Sequence, residues 1–122
     1  MATYKERARA ALLEKAHAKN LCDDRDIAFF ATAKSMPNDS YGMTFLALNA
    51  QELIICDADM QGDIGEIRYR IQVNEVQGFL MKKGLFGLGA AMEFSHEGKK
   101  YSFTNISVPK ETLDVLVSVC KE

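Results

Sequence analysis

Ile64-Gly65-Glu66-Ile67-Arg68-Tyr69-Arg70-Ile71-Gln72-Val73 is the stretch on which the fold turns. Ile67, Tyr69, Ile71 and Val73 alternate with Glu66, Arg68, Arg70 and Gln72. Alternate side chains share a face of a β-strand, whereas a helix repeats every ~3.6 residues. The segment is therefore expected to be a strand with one buried face and one polar face.

The same pattern extends in both directions. Towards the C-terminus, Asn74-Glu75 turns the chain into Val76 to Met81, and Lys82-Lys83-Gly84 turns it again. Ala90, Met92 and Phe94 then alternate with Ala91, Glu93 and Ser95, and Glu97-Gly98 leads into a strand holding Tyr101 and Phe103. Towards the N-terminus, Leu53 to Cys56 joins Tyr41 to Leu48 through Asn49-Ala50-Gln51, and the Pro/Asn/Asp-rich cluster Ser35 to Ser40 leads back to Ile27 to Ala33. Seven short strands with hairpin-length connections predict an antiparallel meander closing into a barrel or sandwich.

Both ends are expected to be helical. Thr3 and Glu6 form a T-x-x-E capping box ahead of a run of Ala, Leu, Glu and Lys, and Asn20 suits the stop. Tyr4, Ala8, Ala11, Leu12 and Ala16 make a weak apolar stripe on this helix, opposite a basic face. Near the other end, Pro109 suits a first helical position, and Leu113, Leu116, Val117 and Cys120 form a stripe that must bury against something, as a plug for the barrel mouth. The fold class is α+β, mainly β: residues 1–22 form an N-terminal helical extension and residues 23–122 the barrel with its capping helix.

With 122 residues, 48% hydrophobic and 26% charged, the chain supports one core and does not have the composition of a disordered protein. Its formal charge of -2 gives no global pull towards nucleic acid or an anionic membrane. That sum hides a division, because residues 21–66 hold two basic and nine acidic groups and residues 67–110 hold seven basic and three acidic. Cys22, Cys56 and Cys120 are odd in number and far apart, which suits a reducing cytoplasm. No signal peptide and no membrane-length apolar run is expected.

Several residues resemble a family. Thr44 to Ile55 is similar to the paired second and third strands of pleckstrin-homology (PH)-like domains, and Ile71 to Val76 to the strand ending that follows. Lys83-Gly84-Leu85-Phe86-Gly87-Leu88-Gly89, Gly98-Lys99-Lys100-Tyr101-Ser102-Phe103 and the closing helix resemble bacterial PH-like domains of the YokE-like type. The resemblance covers roughly residues 26–121 and implies a non-catalytic binding module. It departs from the family at Gln51 and Glu52, near where a basic residue is usual. It also implies a phosphoinositide site in and beside the first hairpin, but that loop, Lys34 to Gly42, offers Lys34 opposed by Asp39, and the neighbouring loops add Asp57, Asp59 and Asp63. An acidic mouth is a poor host for phosphates.

Other constellations are weaker still. Asp57, Asp59 and Gln61 followed by Gly62 imitate a calcium loop, but Arg68 stands where that loop needs a bidentate Glu, so a polar turn is expected. Gly84, Gly87 and Gly89 have the wrong order for a dinucleotide fingerprint. His17 and His96 have no sequence-local Cys or His at metal spacing, so neither a metal nor any cofactor is expected. No nucleophile–base–orienter set is specified, and no enzyme is expected. Arg68 and Arg70 share a polar strand face and are expected to pair with Glu66 or Glu93.

The binding residues indicated are Lys82, Lys83, Leu85 and Phe86, a basic and apolar patch, with Arg68 and Arg70. Their expected partner is a protein, including a second copy of the chain. The alternatives are an anionic membrane surface met through this patch and the basic first helix, or a small ligand inside the barrel, as carrier or enzyme. No nucleic-acid partner is expected.

Overall fold

A computed structural model of the chain describes residues 3–37, 40–82, 89–106, 108 and 110–120. The elements in order are helix α1 (Tyr4–Ala18), strands β1 (Ala28–Met36), β2 (Ser40–Asn49), β3 (Glu52–Ala58) and β4 (Ile64–Gln72), a 3-10 turn (Val73–Glu75), strands β5 (Gln77–Lys82), β6 (Ala90–His96) and β7 (Lys99–Ile106), and helix α2 (Lys110–Cys120). All seven expected strands are present, in one antiparallel sheet of order β4-β3-β2-β1-β7-β6-β5. The expected closure is not: β4 and β5 are the two ends of the sheet, and no strand pairing joins them among the described residues. Consecutive in sequence, they are separated by the 3-10 turn, whose Val73 is buried.

The concave side of the sheet holds the main core. Phe29, Leu46, Leu48, Leu53, Ile55, Ile71, Phe79, Met92, Phe94, Tyr101 and Phe103 point into it, and Leu116 and Cys120 of α2 cover it, with Leu113 and Val117 packed alongside. The helix lies against β5 and the 3-10 turn. Its stripe is thus used as expected; Pro109 lies outside the described residues. Phe94 is the hub, stacked on Tyr101, Phe103 and Phe79 with ring centroids 4.9, 6.3 and 6.5 Å away. Tyr69 of β4 meets Tyr101 of β7 edge-on at 5.5 Å, so the two limbs of the sheet touch across the core.

A second core lies on the convex side. Leu12, Leu13, Ala16, Leu21 and Cys22 cover Ala28, Phe45, Ala47, Ile54, Cys56 and Ile64. β1, β2 and β3 are therefore buried on both faces, which is why Leu53-Ile54-Ile55-Cys56 is apolar at every position instead of alternating. The capping box forms as expected, with Glu6 N donating to Thr3 Oγ1 at 3.1 Å and Thr3 N to Glu6 Oε2 at 3.3 Å. Asn20 ends the helix in the left-handed region (φ 57°), and the bonds Leu21 N to Ala16 O and Asn20 N to His17 O make a Schellman turn that swings Leu21 onto the sheet. The buried face is rotated from the expected stripe: Tyr4, Ala8 and Ala11 are exposed, and the face in use is Arg9, Leu12, Leu13 and Ala16. Arg9 belongs to it because its guanidinium donates to the carbonyls of Ala28 and Asp26, both at 2.8 Å.

β4 departs from its simple alternation. Ile55 pairs with Tyr69 but Cys56 pairs with Ile67, so Arg68 is the extra residue of a β-bulge. A bulge reverses which face the following side chains take. Tyr69 and Ile71 keep to the concave side, Ile67 is 40% exposed, and Ile64 joins the convex core. The turn Glu97-Gly98 forms with both residues at positive φ (53° and 76°), the geometry of a two-residue hairpin. Gly89 has a packing role, since a Cβ there would lie 2.9 Å from the backbone of Asn105.

Candidate interaction surface

Among the described residues, α1 and its connector cover the convex side over residues of β1, β2, β3 and β4. Beyond the reach of α1, the outward side chains of β1, β7, β6 and β5 are mostly small or polar, Leu80 excepted, and with Met92 they line a groove formed by Lys34, Leu80, Lys82, Ala91, Glu93, Ser102 and Thr104. Strand alternation produces it: Ala33, Phe103, Met92 and Phe79 turn inward, so their neighbours turn outward. Cross-strand register sets Lys82 opposite Ala91 and Leu80 opposite Glu93. Lys100 Nζ lies 3.5 Å from Glu93 and screens its charge. The groove thus has a floor of small side chains, cationic flanks at Lys34 and Lys82, and Leu80, 45% exposed, on the terminal strand. It opens onto the edge of β5 that no described strand pairs.

Of the six residues indicated by sequence, the structure describes Lys82, Arg68 and Arg70, which stand on two different strands. Lys82 flanks the groove. Lys83, Leu85 and Phe86, with Gly84 and Gly87, lie outside the described residues. Arg68 and Arg70 stand on β4, at the opposite end of the strand order. Their partners also differ from those expected: Arg68 meets Asp57 at 3.3 Å and Arg70 meets Glu52 at 3.3 Å, both on β3, while Glu93 is taken by Lys100. Carboxylates on the adjacent strand β3 are nearer than one on another limb of the sheet. Lys34, Leu80, Ser102 and Thr104 were not distinguishable in sequence, because each is an ordinary outward residue until the strands are ordered.

The concave interior is packed by the described residues. It is filled by aromatic and aliphatic side chains, and Thr44, the buried polar residue among those described, donates its hydroxyl to Ala31 O at 3.0 Å. Leu12 and Leu13 of α1 are packed into the convex core, so they are not displayed towards a bilayer. Among the described residues no helix is long and apolar enough to cross a membrane. The calcium-like segment is a turn in which Asp59 Oδ1 accepts from Gln61 N (2.9 Å) and Asp63 N (3.0 Å).

Polar contacts concentrate where α1 meets the sheet. Asp23 receives a forked pair of bonds from Arg25, at 2.6 to 3.1 Å, and accepts from Ala50 N at 2.9 Å, tying the β2–β3 turn to the connector. Ala50 needs that support because it sits at φ 55° without being glycine. The Arg25 hydrogen bonds hold the Asp23 carboxyl well below the usual carboxylate range, outweighing the opposing effect of its burial. A folded-state value below the unfolded one contributes stability that is complete above the unfolded range, about pH 4, and is lost as pH falls towards the folded value. Asp23→Asn is accordingly expected to lower the urea midpoint at neutral pH, and its difference from the parent should shrink on acidification below about pH 4. A difference constant with pH would show that the ion pair contributes nothing.

Burial pushes the thiols of Cys56 and Cys120 up to about 11, so both stay protonated at neutral pH and behave as small apolar side chains. Two clusters of metal-ligating groups appear that the sequence spacing concealed: His17 with Cys22 and Asp26, and Glu75 with His96 and Glu97. Comparison of the chain with protein-family models, with curated proteins and with solved structures found no significant match.

Proposed function

We propose that the chain is a non-catalytic PH-like binding module that works by protein–protein contact, self-association first. One observation carries this reading: β5, the last described strand of the sheet on that side, presents an exposed leucine and, with β1, two lysines around a groove of mostly small side chains, beside an edge that no described strand pairs. Seven antiparallel strands followed by a helix that covers the core support the PH-like assignment. Edge strands with apolar neighbours recruit other chains, by strand addition or by burial of the exposed side chain. Charge favours a second copy as the occupant, because exposed Asp59 and Asp63 mark the β3–β4 turn while Lys34, Lys82 and Lys100 mark the groove face. A contact of this head-to-tail kind is heterologous and propagates unless its rotation closes a ring. The three buried free thiols suit a reducing compartment.

Light scattering across protein concentration and salt tests the reading. Mass should rise with concentration at low salt and fall as salt screens the lysines, and Leu80→Asp with Lys82→Glu should leave a monomer at every concentration. A parent that stays monomeric throughout removes self-association. If the variant also captures the same proteins as the parent from a native lysate, the groove is not the docking surface.

A further inference from the structure

The seam between α1 and the sheet holds a cluster that neither the groove nor the core packing requires. His17 comes from the last turn of α1, Cys22 from the connector and Asp26 from the entry to β1. One ligand atom of each, a ring nitrogen, Sγ and a carboxylate oxygen, lies within 4.8 Å of the other two. We propose that these three residues bind one zinc-type divalent cation, with a water in the fourth position, and that the bound metal locks α1 onto the sheet.

The chemistry of the donors fits that ion class. One thiolate, one imidazole and one carboxylate suit zinc or cobalt(II), whereas calcium and magnesium call for oxygen ligands throughout. Tetrahedral zinc, with bonds of about 2.0–2.3 Å, sets its ligand atoms roughly 3.4–3.6 Å apart. His17 Nε2 now stands 2.7 Å from Asp26 Oδ1 as a hydrogen bond. Metal entry would replace that bond by two coordinate bonds and needs the pair to part by less than about 1 Å.

Access and charge also fit. Cys22 is buried, 5% exposed, while the side chains of His17 and Asp26 remain 41% and 52% exposed, so the sulfur lies at the back and the water position faces solvent. The thiol releases its proton to solvent on binding, and the thiolate and carboxylate then balance the dication. That neutrality matters because Arg9 is close by, its guanidinium fixed on the carbonyls of Asp26 and Ala28. Asp23 is neutralised by Arg25 and is not a competing ligand.

Cobalt(II) titration of the untagged, chelator-stripped full chain is the test, since the ion reports its own coordination. The expected result is saturation at one equivalent, with the near-ultraviolet thiolate charge-transfer band and the intense visible bands of a tetrahedral site, both erased by zinc. His17→Gln, on an exposed position that should leave the fold intact, should weaken cobalt binding beyond the about 10–100-fold typical of an outer-shell change. Cys22→Ser should abolish the charge-transfer band, and Zn²⁺ should raise the melting temperature of the parent but not of His17→Gln. His96→Gln, in the second cluster, should change nothing. Absence of the charge-transfer band at millimolar cobalt would overturn the proposal. So would its persistence in His17→Gln, or its loss in His96→Gln.

Discussion

Phe94→Ala is expected to lower the melting temperature by about 10–20 °C, the loss that follows when removal of a buried phenylalanine costs about 3–5 kcal/mol. Phe94 is 1% exposed and stacks on three rings, two from its hairpin partner strand β7 and one from β5. Its ring therefore connects the terminal strand β5 to β7, and truncation leaves a cavity bounded by Phe79, Tyr101 and Phe103 that stiff aromatic neighbours cannot collapse into. Aromatic pairing adds about 0.5–1.5 kcal/mol per contact beyond burial, so the upper part of the range is expected. The effect should also be uneven. β5 has one strand neighbour, β6, and its inward contact with Phe94 is much of what holds it. Amide exchange should accelerate first in Gln77–Lys82. Lys100→Ala, which removes an exposed cation from the neighbouring strand, should shift the melt by no more than a surface change does. Equal melts for Phe94→Ala and Lys100→Ala would show that this ring stack is not the centre of the main core.

The strands were legible where one rule governed their residues. Alternation located β5, β6 and β7, each of which buries a single face, and the same rule found the β4 segment. It failed inside β4 at Arg68, because a bulge is a property of two paired strands and one strand's sequence carries no register. Leu53-Ile54-Ile55-Cys56 held a signal of a different kind. Four consecutive buried residues mean that both faces are covered, and the only covering element left over is α1. That inference was hidden by the weak stripe of the helix, whose contact face includes a charged residue, Arg9, bound to backbone carbonyls. Sheet closure was misjudged for a related reason: strand count and loop length fix the order of hairpins but not whether the two end strands meet. The groove and the His17–Cys22–Asp26 cluster were beyond reach. The groove is made by residues from strands that meet only after folding, and the cluster, though its three residues lie within ten positions of one another, converges only because the turn at Asn20 and Leu21 folds the connector back beside His17.

Ala16→Asp is expected to abolish the folded monomer, although it changes one residue on a helix that sequence alone presents as an appendage. Ala16 is fully buried, and it faces the convex core formed by Phe45, Ile54 and Cys56. A carboxylate there has no partner, and an unpaired buried charge costs several times what a marginally stable domain loses to an ordinary substitution. The chain has two ways out. It protonates the new side chain, or it releases α1 and exposes Phe45, Ala47, Ile54 and Cys56 as one apolar patch in the middle of the sheet, a surface that promotes association. Release is the expected outcome even though it costs the Arg9 bonds to Ala28 and Asp26 and the His17–Asp26 contact, which fail together once the helix lifts, because a protonated Asp is still larger and more polar than the methyl group it replaces at a fully buried site. Dye binding to exposed apolar surface should appear, with aggregation on warming. Deleting residues 1–20 should give the same behaviour. Ala8→Asp, on the exposed side of the same helix, should melt like the parent. A folded, monomeric Ala16→Asp with the parent's melting temperature would mean that the convex core is not part of the folding unit, and that β1, β2 and β3 tolerate one bare apolar face in water.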